Sequence, residues 1–332
     1  MSKLDKVDLK LLGELENNAR QTLSQIAKKL GTSQQVVSYR INSLLKRNVL
    51  YGFHTVVNFA MLGYTSYRTM IRFSNISDQK YKEIINYLLK HPNVLWLVGC
   101  GGRWDLLVNF TAKNVVQYNE FLRELKNKFP DQIQNHDILI TIGGTFFGRD
   151  YLNKKIREIK PVIYFGHEFK PAKVDNTDLK ILELISENAR MSSVEIANKL
   201  GISPNTVILR IKNMKKTGLI QGFKPSIQVG NTKWAAYKAL IKFQNITEKK
   251  ELEIMNYLQT NVNVIAILRL IGPWDFEIEF EVETKEDLLK LTRDVRDKFK
   301  EVIQGFEILP LYREYKYNYF PRDTLKEYKA AE

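Results

Sequence analysis

A chain of 332 residues is long enough for two ordinary domains or more, and 44% apolar residues with 17 Gly and 9 Pro describe a globular protein free of collagen-like or low-complexity stretches. The start, MSKLDKVDLK, has no apolar signal core, and the strongest apolar run, 94–100, is too short for a bilayer, so a cytoplasmic location is expected. The net charge of +14 suggests a polyanionic partner, or a surface that only keeps the protein in solution, and it is uneven: +11 over residues 1–170 and +3 over 171–332.

In chain order, Leu9, Leu12 and Leu15 stand at the i, i+3, i+6 spacing of a helix with one buried face. A second helix carries Ile26, Ala27 and Leu30 and ends at Gly31, a C-cap glycine. After a short turn, Ser33 stands where an N-cap belongs, and a third helix buries Val37, Ile41 and Leu44. VLYGF then predicts the strand and turn of a small wing. Further on, 67–73 reads as a strand, 78–90 as a helix, 94–99 and 104–111 as strands, 115–128 as a helix and 138–147 as a strand. This βαββαβ order predicts a four-stranded antiparallel sheet with two helices on one face. The single cysteine, Cys100, excludes an intrachain disulfide and reads as a small hydrophobe. GCGGRW before Asp105 lacks the Gly-Lys-Ser/Thr of a P-loop and predicts a tight hairpin. Residues 151–172, with KKIREIKP and Pro171, predict a short charged helix and a linker.

Shifting the chain by 170 residues repeats the pattern. Between 4–53 and 174–223, 20 of 50 positions are identical without a gap. Leu179, Leu182 and Ile185, then Ile196, Ala197, Leu200 and Gly201, then Ser203, Val207, Ile211 and Met214 take the same places, and LIQGF replaces VLYGF. Pro204 fits the first helical position, which loses no hydrogen bond to proline. Trp104-Asp105 meets Trp274-Asp275, and Lys128-Phe129 meets Lys298-Phe299. The expected fold class is α+β: two tandem copies of a winged helix-turn-helix and a ferredoxin-like βαββαβ domain. The boundaries are 1–58 and 64–150, a linker 151–172, then 173–228 and 234–320, and a tail 321–332.

Two short helices joined by a tight turn form a helix-turn-helix, whose last helix enters a major groove. With Val37, Ile41 and Leu44 inward, the 100° step turns Gln35, Tyr39, Asn42 and Lys46 outward, with Ser38 at the flank and Ser33 and Gln34 at the helix start. Gln and Asn suit adenine, Tyr and Ser suit base edges or phosphates, and Lys46 with Arg47 suits the backbone. Arg40, repeated as Arg210, holds either a phosphate or an intradomain acid such as Asp8. In the second copy the stripe is Asn205, Leu209, Lys212 and Lys216, beside Thr206, with Ile208 in place of Ser38. The aliphatic pair fits thymine methyls or a contact with another part of the protein. The first head is therefore expected to carry most base readout, although such modules also serve in dimerisation or protein docking.

Phe276, Ile278, Phe280 and Val282 alternate with Glu277, Glu279, Glu281 and Glu283, so the second sheet has one apolar and one acidic face, with Lys238 and Lys242 in phase with the acids. The matching positions of the first copy leave Arg68 and Arg72 opposite Leu107, Asn109 and Thr111. The two faces are complementary in sign and are expected to oppose each other, within or between chains. The four histidines, His54, His91, His136 and His167, lie far apart with no metal-ligand spacing, and no nucleophile–base motif appears, so neither an enzyme nor a cofactor is expected.

The order D-x-x-D-x-x-(L/I)-L, N-A-R, I-A-x-K-L-G-x-S-x-x-x-V-x-x-R-I and G-F, followed by an α/β domain with G-x-W-D, resembles the Lrp/AsnC feast/famine transcription regulators, and does so in both copies. The resemblance implies operator binding through the winged helix-turn-helix and a RAM-type α/β domain that forms homo-oligomers and senses amino-acid-like effectors at its interfaces. It makes Gly102, Arg103, Trp104, Asp105, Gly272, Trp274 and Asp275 candidate effector contacts, with Asp105 accepting an α-amino group. The plain alternative is that Trp104 packs and Asp105 caps the turn. Two copies in one chain imply a built-in pseudo-dimer with an imperfectly symmetric operator. Siroheme decarboxylases use similar parts and supply the alternative function.

Overall fold

The computed structural model describes residues 4–153, 157, 163–166 and 170–326. The first copy comprises α1 (Lys6–Asn17), α2 (Leu23–Leu30), α3 (Gln34–Lys46), β1 (Leu50–Val57), β2 (Thr65–Phe73), α4 (Asp78–Lys90), β3 (Val94–Cys100), β4 (Leu106–Ala112), α5 (Val115–Lys128) and β5 (Ile133–Phe146). After β6 (Ile163–Gly166), the second copy repeats this with α6 (Asn176–Glu187), α7 (Ser193–Leu200), α8 (Pro204–Lys216), β7 (Ile220–Ile227), β8 (Ala235–Phe243), α9 (Glu248–Thr260), β9 (Val264–Ile271), β10 (Phe276–Val282), α10 (Lys285–Lys298) and β11 (Ile303–Tyr317). No helix among the described residues is long and apolar enough to cross a membrane.

The fold joins the copies strand to strand. Within each copy the order is that of a ferredoxin-like sheet, β3-β4-β2-β5 and β9-β10-β8-β11, and the copies meet at two seams, β3–β11 and β5–β9. The eight strands thereby close into a ring with every main-strand edge paired, which removes the exposed edges an open sheet would carry. Helices cover the outside. Ile71, Val108 and Phe110 pack beneath α4 and α5, and Ile241, Ile278 and Phe280 beneath α9 and α10.

The ring closes around charge. Arg68 of β2 donates to Glu277 of β10 at 2.7 Å, and Lys238 of β8 donates to Glu277 at 2.6 Å and Glu279 at 2.8 Å. The oppositely charged sheet faces therefore oppose each other within one chain. Arg68, Lys238 and Glu277 are at most 5% exposed at their side chains, and the Trp96 ring lies 4.8 Å from both cationic groups.

Three expectations need correction. The expected wing strands do not stay within their own helix-turn-helix units: β1 and β7 pair antiparallel with each other, because a lone strand leaves its backbone groups unsatisfied and the other copy supplies the partner. The segment read as a linker contributes β6, which adds to the free side of β5 where β5 has run past β2. Gly166 makes that closure possible: at φ +76, a Cβ would lie 2.4 Å from the Ile142 carbonyl oxygen. The charged run 154–161 and His167 lie outside the described residues, Arg157 excepted. The start of the tail is docked, with Leu325 buried and Asn93 donating to Asp323 at 2.7 Å.

The N-A-R and G-F motifs explain each other. The Ala19 amide donates to the Phe223 carbonyl and the Ala189 amide to that of Phe53, both at 2.9 Å. The Arg20 guanidinium lies over the Phe223 ring and that of Arg190 over Phe53, at 5.6 and 5.5 Å. Each copy thus offers the same two motifs to the other, the reciprocity of a two-fold interface.

His54 sits in this joint, its Nδ1 2.9 Å from the Ser226 hydroxyl. Burial, reinforced by the charges of Arg149 and Lys224, takes its pKa down to about 3. The unfolded chain takes up this proton below about pH 6.5, the folded chain only near pH 3, so the group's contribution is complete above pH 6.5 and is lost as pH falls through that window. Glu314, pushed up to about 7 by burial, acts with the opposite sign. His54→Asn should therefore spare the chain about 2 kcal/mol of the loss between pH 7 and pH 5 relative to wild type in urea unfolding. Parallel losses in the two proteins would show that His54 does not titrate in this way.

Candidate nucleic-acid interface

The two helix-turn-helix units are built by the same local chemistry. Thr22 and Ser192 each form a reciprocal capping box at the start of the first motif helix, and Gly31 and Gly201 end it in the left-handed region at φ +64 and +67. The Ser33 hydroxyl then accepts from the Val36 amide at 3.2 Å, and that of Ser203 from Thr206 at 3.1 Å. Each serine restarts the helix one turn after the glycine stops it, which sets the angle of the motif.

On α3, Val37, Ile41 and Leu44 are buried, while Gln34, Gln35, Tyr39, Asn42 and Lys46 are exposed and Ser38 is half-buried. Tyr39 reaches 74% exposure, far more than packing would leave to an aromatic ring. On α8, Val207, Ile211 and Met214 are buried, and Asn205, Leu209, Lys212 and Lys216 are exposed with Thr206 at the flank. The outward stripe expected from the helical step is therefore present on both helices.

The arginines are committed elsewhere. Arg40 donates to Asp5 at 2.8 Å and Asp8 at 2.7 Å, and Arg47 reaches Asp8 at 3.2 Å. Arg210 repeats the arrangement with Asp175 at 2.7 Å and Asp178 at 2.9 Å. Of the two roles open to Arg40 and Arg210, the geometry displays the intradomain one: each ties the recognition helix to the N-cap of the first helix. Asp5 and Asp8 of the D-x-x-D motif, and Asp175 and Asp178 of its repeat, thus anchor the recognition helices.

The loops flanking the two Trp-Asp pairs are built alike. The Asp105 carboxylate accepts from the Phe73 amide at 2.8 Å, and that of Asp275 from the Phe243 amide at 2.7 Å and from Lys242 at 2.8 Å. Trp104 is buried, with Arg103 over its ring at 5.1 Å, and Trp274 is half-buried. Gly102, at φ +90, offers its carbonyl to Arg72 at 2.8 Å. Arg72, Gly102, Arg103, Trp104, Gln134 and Asn135 line an open hollow on the first copy. Gly272 stands at φ +144, where a Cβ would meet the Ile138 carbonyl oxygen at 2.8 Å. Among the described histidines, His54 lies on β1, His91 just after α4 and His136 on β5, and no cluster of described His, Cys, Asp or Glu suits a metal ion. The Cys100 thiol, pushed up to about 12 by burial, donates to the Trp104 carbonyl.

Comparison with known proteins bears on both copies. Residues 4–45 match the AsnC-type helix-turn-helix domain, and residues 174–221 match the winged helix-turn-helix DNA-binding family. An uncharacterized HTH-type transcriptional regulator of Pyrococcus horikoshii is 33% identical over 129 residues, 37% of this chain and 85% of the relative. An HTH-type transcriptional regulator of Methanocaldococcus jannaschii is 29% identical over 121 residues, 36% of this chain and 80% of the relative. Each match spans about the length of one repeat. Over the whole chain, the crystal structure of the siroheme decarboxylase NirDL superposes with a TM-score of 0.59 at 13% identity, covering 98% of this chain and 99% of that one, a likeness of fold. With the helix-turn-helix geometry present in both copies, the chain belongs to the Lrp/AsnC family of helix-turn-helix transcription regulators, its unit carried twice in tandem.

Proposed function

We propose that this chain regulates transcription by binding an imperfectly symmetric operator with two unequal reading heads held by one rigid joint. The observation that carries the proposal is the exposed stripe Gln35, Tyr39, Asn42 and Lys46 on α3, set in a unit that pairs symmetrically with its counterpart through β1 and β7. Gln35 and Asn42 suit adenine N6 and N7, and Lys46 suits phosphate. The first head carries most base readout. The second, with Leu209 and Lys212 at the places of Tyr39 and Asn42, binds with less polar readout.

Replacing Gln35 and Tyr39 together with alanine should lower the preference for a selected duplex over random duplex about 10- to 100-fold, while the Asn205 and Lys212 double substitution lowers it less. Competition binding at fixed salt measures both, and equal losses would remove the asymmetry. Footprints of the bound site should show two protected patches about one helical turn apart.

In the same reading, the Trp-Asp loop of the first copy borders an effector hollow in which Arg72 and Arg103 meet a carboxylate, while Asp105 keeps its backbone anchor. The siroheme-decarboxylase reading has the whole-chain likeness of fold in its favour. Titrating the purified chain with siroheme separates the two. An unchanged absorption spectrum together with duplex binding that weakens steeply with salt favours the regulator, and tight siroheme binding without duplex binding favours the enzyme.

A further inference from the structure

We infer that the second recognition helix reads thymine, through methyl groups that seat against Leu209 and Ile208 in the major groove. The inference rests on the DNA reading above. Leu209 is 64% exposed and Ile208 51%, on the face of α8 that corresponds to Tyr39 and Ser38 of α3. Exposed aliphatic side chains at the centre of a recognition face are unlike scattered surface leucines, because this face is the one the fold turns away from its own core.

The surroundings select the occupant. Leu209 lines an open hollow with Thr206, Arg210, Lys212, Asn213 and Lys216. Lys212, Lys215 and Lys216 are all exposed, whereas Arg210 is held by Asp175 and Asp178. A second copy of the chain meeting this face with its own would press lysine against lysine. Duplex DNA supplies phosphates for those lysines, and in its major groove the thymine C5-methyl is the one apolar feature of a base edge. Guanine O6 and N7 or cytosine N4 would instead be stripped of water against a leucine without a hydrogen bond in return. Asn205, exposed one turn before Leu209, suits adenine N6 and N7, so the chemistry of the face converges on an A·T-rich half-site with thymines beneath Leu209 and Ile208.

The test uses the full chain and a duplex selected from a random-sequence pool. Thymines in one half-site at a time are replaced by deoxyuridine, which removes the methyl and nothing else. Affinity is expected to fall about four-fold for each contacted methyl removed from one half, and less in the other half. In the double variant Ile208→Ser, Leu209→Tyr, that sensitivity should disappear while the salt dependence of binding stays, because the lysines are untouched. Both positions are exposed, so the fold should tolerate the changes, and circular dichroism verifies it. Sequence-specific binding that ignores deoxyuridine in both halves overturns the inference and leaves the DNA reading standing. Undiminished sensitivity in the double variant also overturns it. Failure to bind any duplex in a salt-dependent way overturns the DNA reading, and the thymine inference with it.

Discussion

Replacing Arg149 with methionine is expected to destabilise the folded chain by about 3–5 kcal/mol, read from urea unfolding of the full protein. The Arg149 guanidinium donates through Nε and Nη2 to both carboxylate oxygens of Glu281, at 2.8 to 3.1 Å, and through Nη1 to Glu16. The side chains of Glu281 and Glu16 are only 1% and 5% exposed. Burial pushes the Glu281 carboxyl up and the guanidinium pulls it back. Methionine fills similar space and removes that opposing charge, leaving Glu281 with the Tyr151 hydroxyl and Glu16 with Lys224 at 3.6 Å. Glu16 belongs to α1, Lys224 to β7, Glu281 to β10, and Arg149 follows β5, so one cluster ties both helix-turn-helix units to both α/β domains. A loss below about 1 kcal/mol would mean the cluster is not the joint that its geometry describes. Arg149→Lys, which keeps the charge but not the fork, should fall between.

The second large effect belongs to the inside of the ring. Glu277→Leu should also cost about 3–5 kcal/mol, because it strands Arg68 and leaves Lys238 with Glu279 alone. The informative control is the double change Arg68→Met, Glu277→Leu, which removes one cation together with its acid and leaves Lys238 paired with Glu279. It is expected to be near neutral or stabilising, since desolvation of the ions then vanishes together with their attraction. Equal destabilisation of single and double variants would show that packing at these sites, not charge, sets the energy. Because the faces meet within one chain, the readout is unfolding free energy rather than dissociation of subunits.

These joints bear on regulation. A dimer of separate chains can adjust the spacing of its heads by rocking at the subunit interface, whereas here the two units share a paired strand, reciprocal amide contacts and a buried ion cluster. Identical subunits must also carry identical recognition helices. A fused pair is free of that constraint, and α3 and α8 have used the freedom, one keeping tyrosine and serine where the other carries leucine and isoleucine.

The repeat, its helix-turn-helix units and their inward and outward faces were legible in the sequence because they are set by local rules: the 100° step, glycine at a left-handed C-cap and serine at an N-cap. The alternation of Phe276–Val282 likewise announced an acidic sheet face. Charge complementarity further indicated that this face would meet Arg68. Locally coded features of this kind repeat along the chain whatever their neighbours do.

What tertiary structure alone decided is which groups find each other across 130 residues or more. Nothing in VLYGF and LIQGF says that each strand will take the other copy as its partner, since backbone groups pair with any strand that arrives in register. The VIYF run of 162–165 is β-prone in sequence, but only the folded sheet decides that β6 joins β5. Arg149 was invisible for the same reason: its two acids come from residues 16 and 281, and only closure of the ring brings them to one guanidinium. Sequence by itself determined the units and their faces, through short-range sterics and capping. The joint between them was decided by long-range strand pairing and by the need to neutralise buried charge, conditions that exist only once the chain has folded.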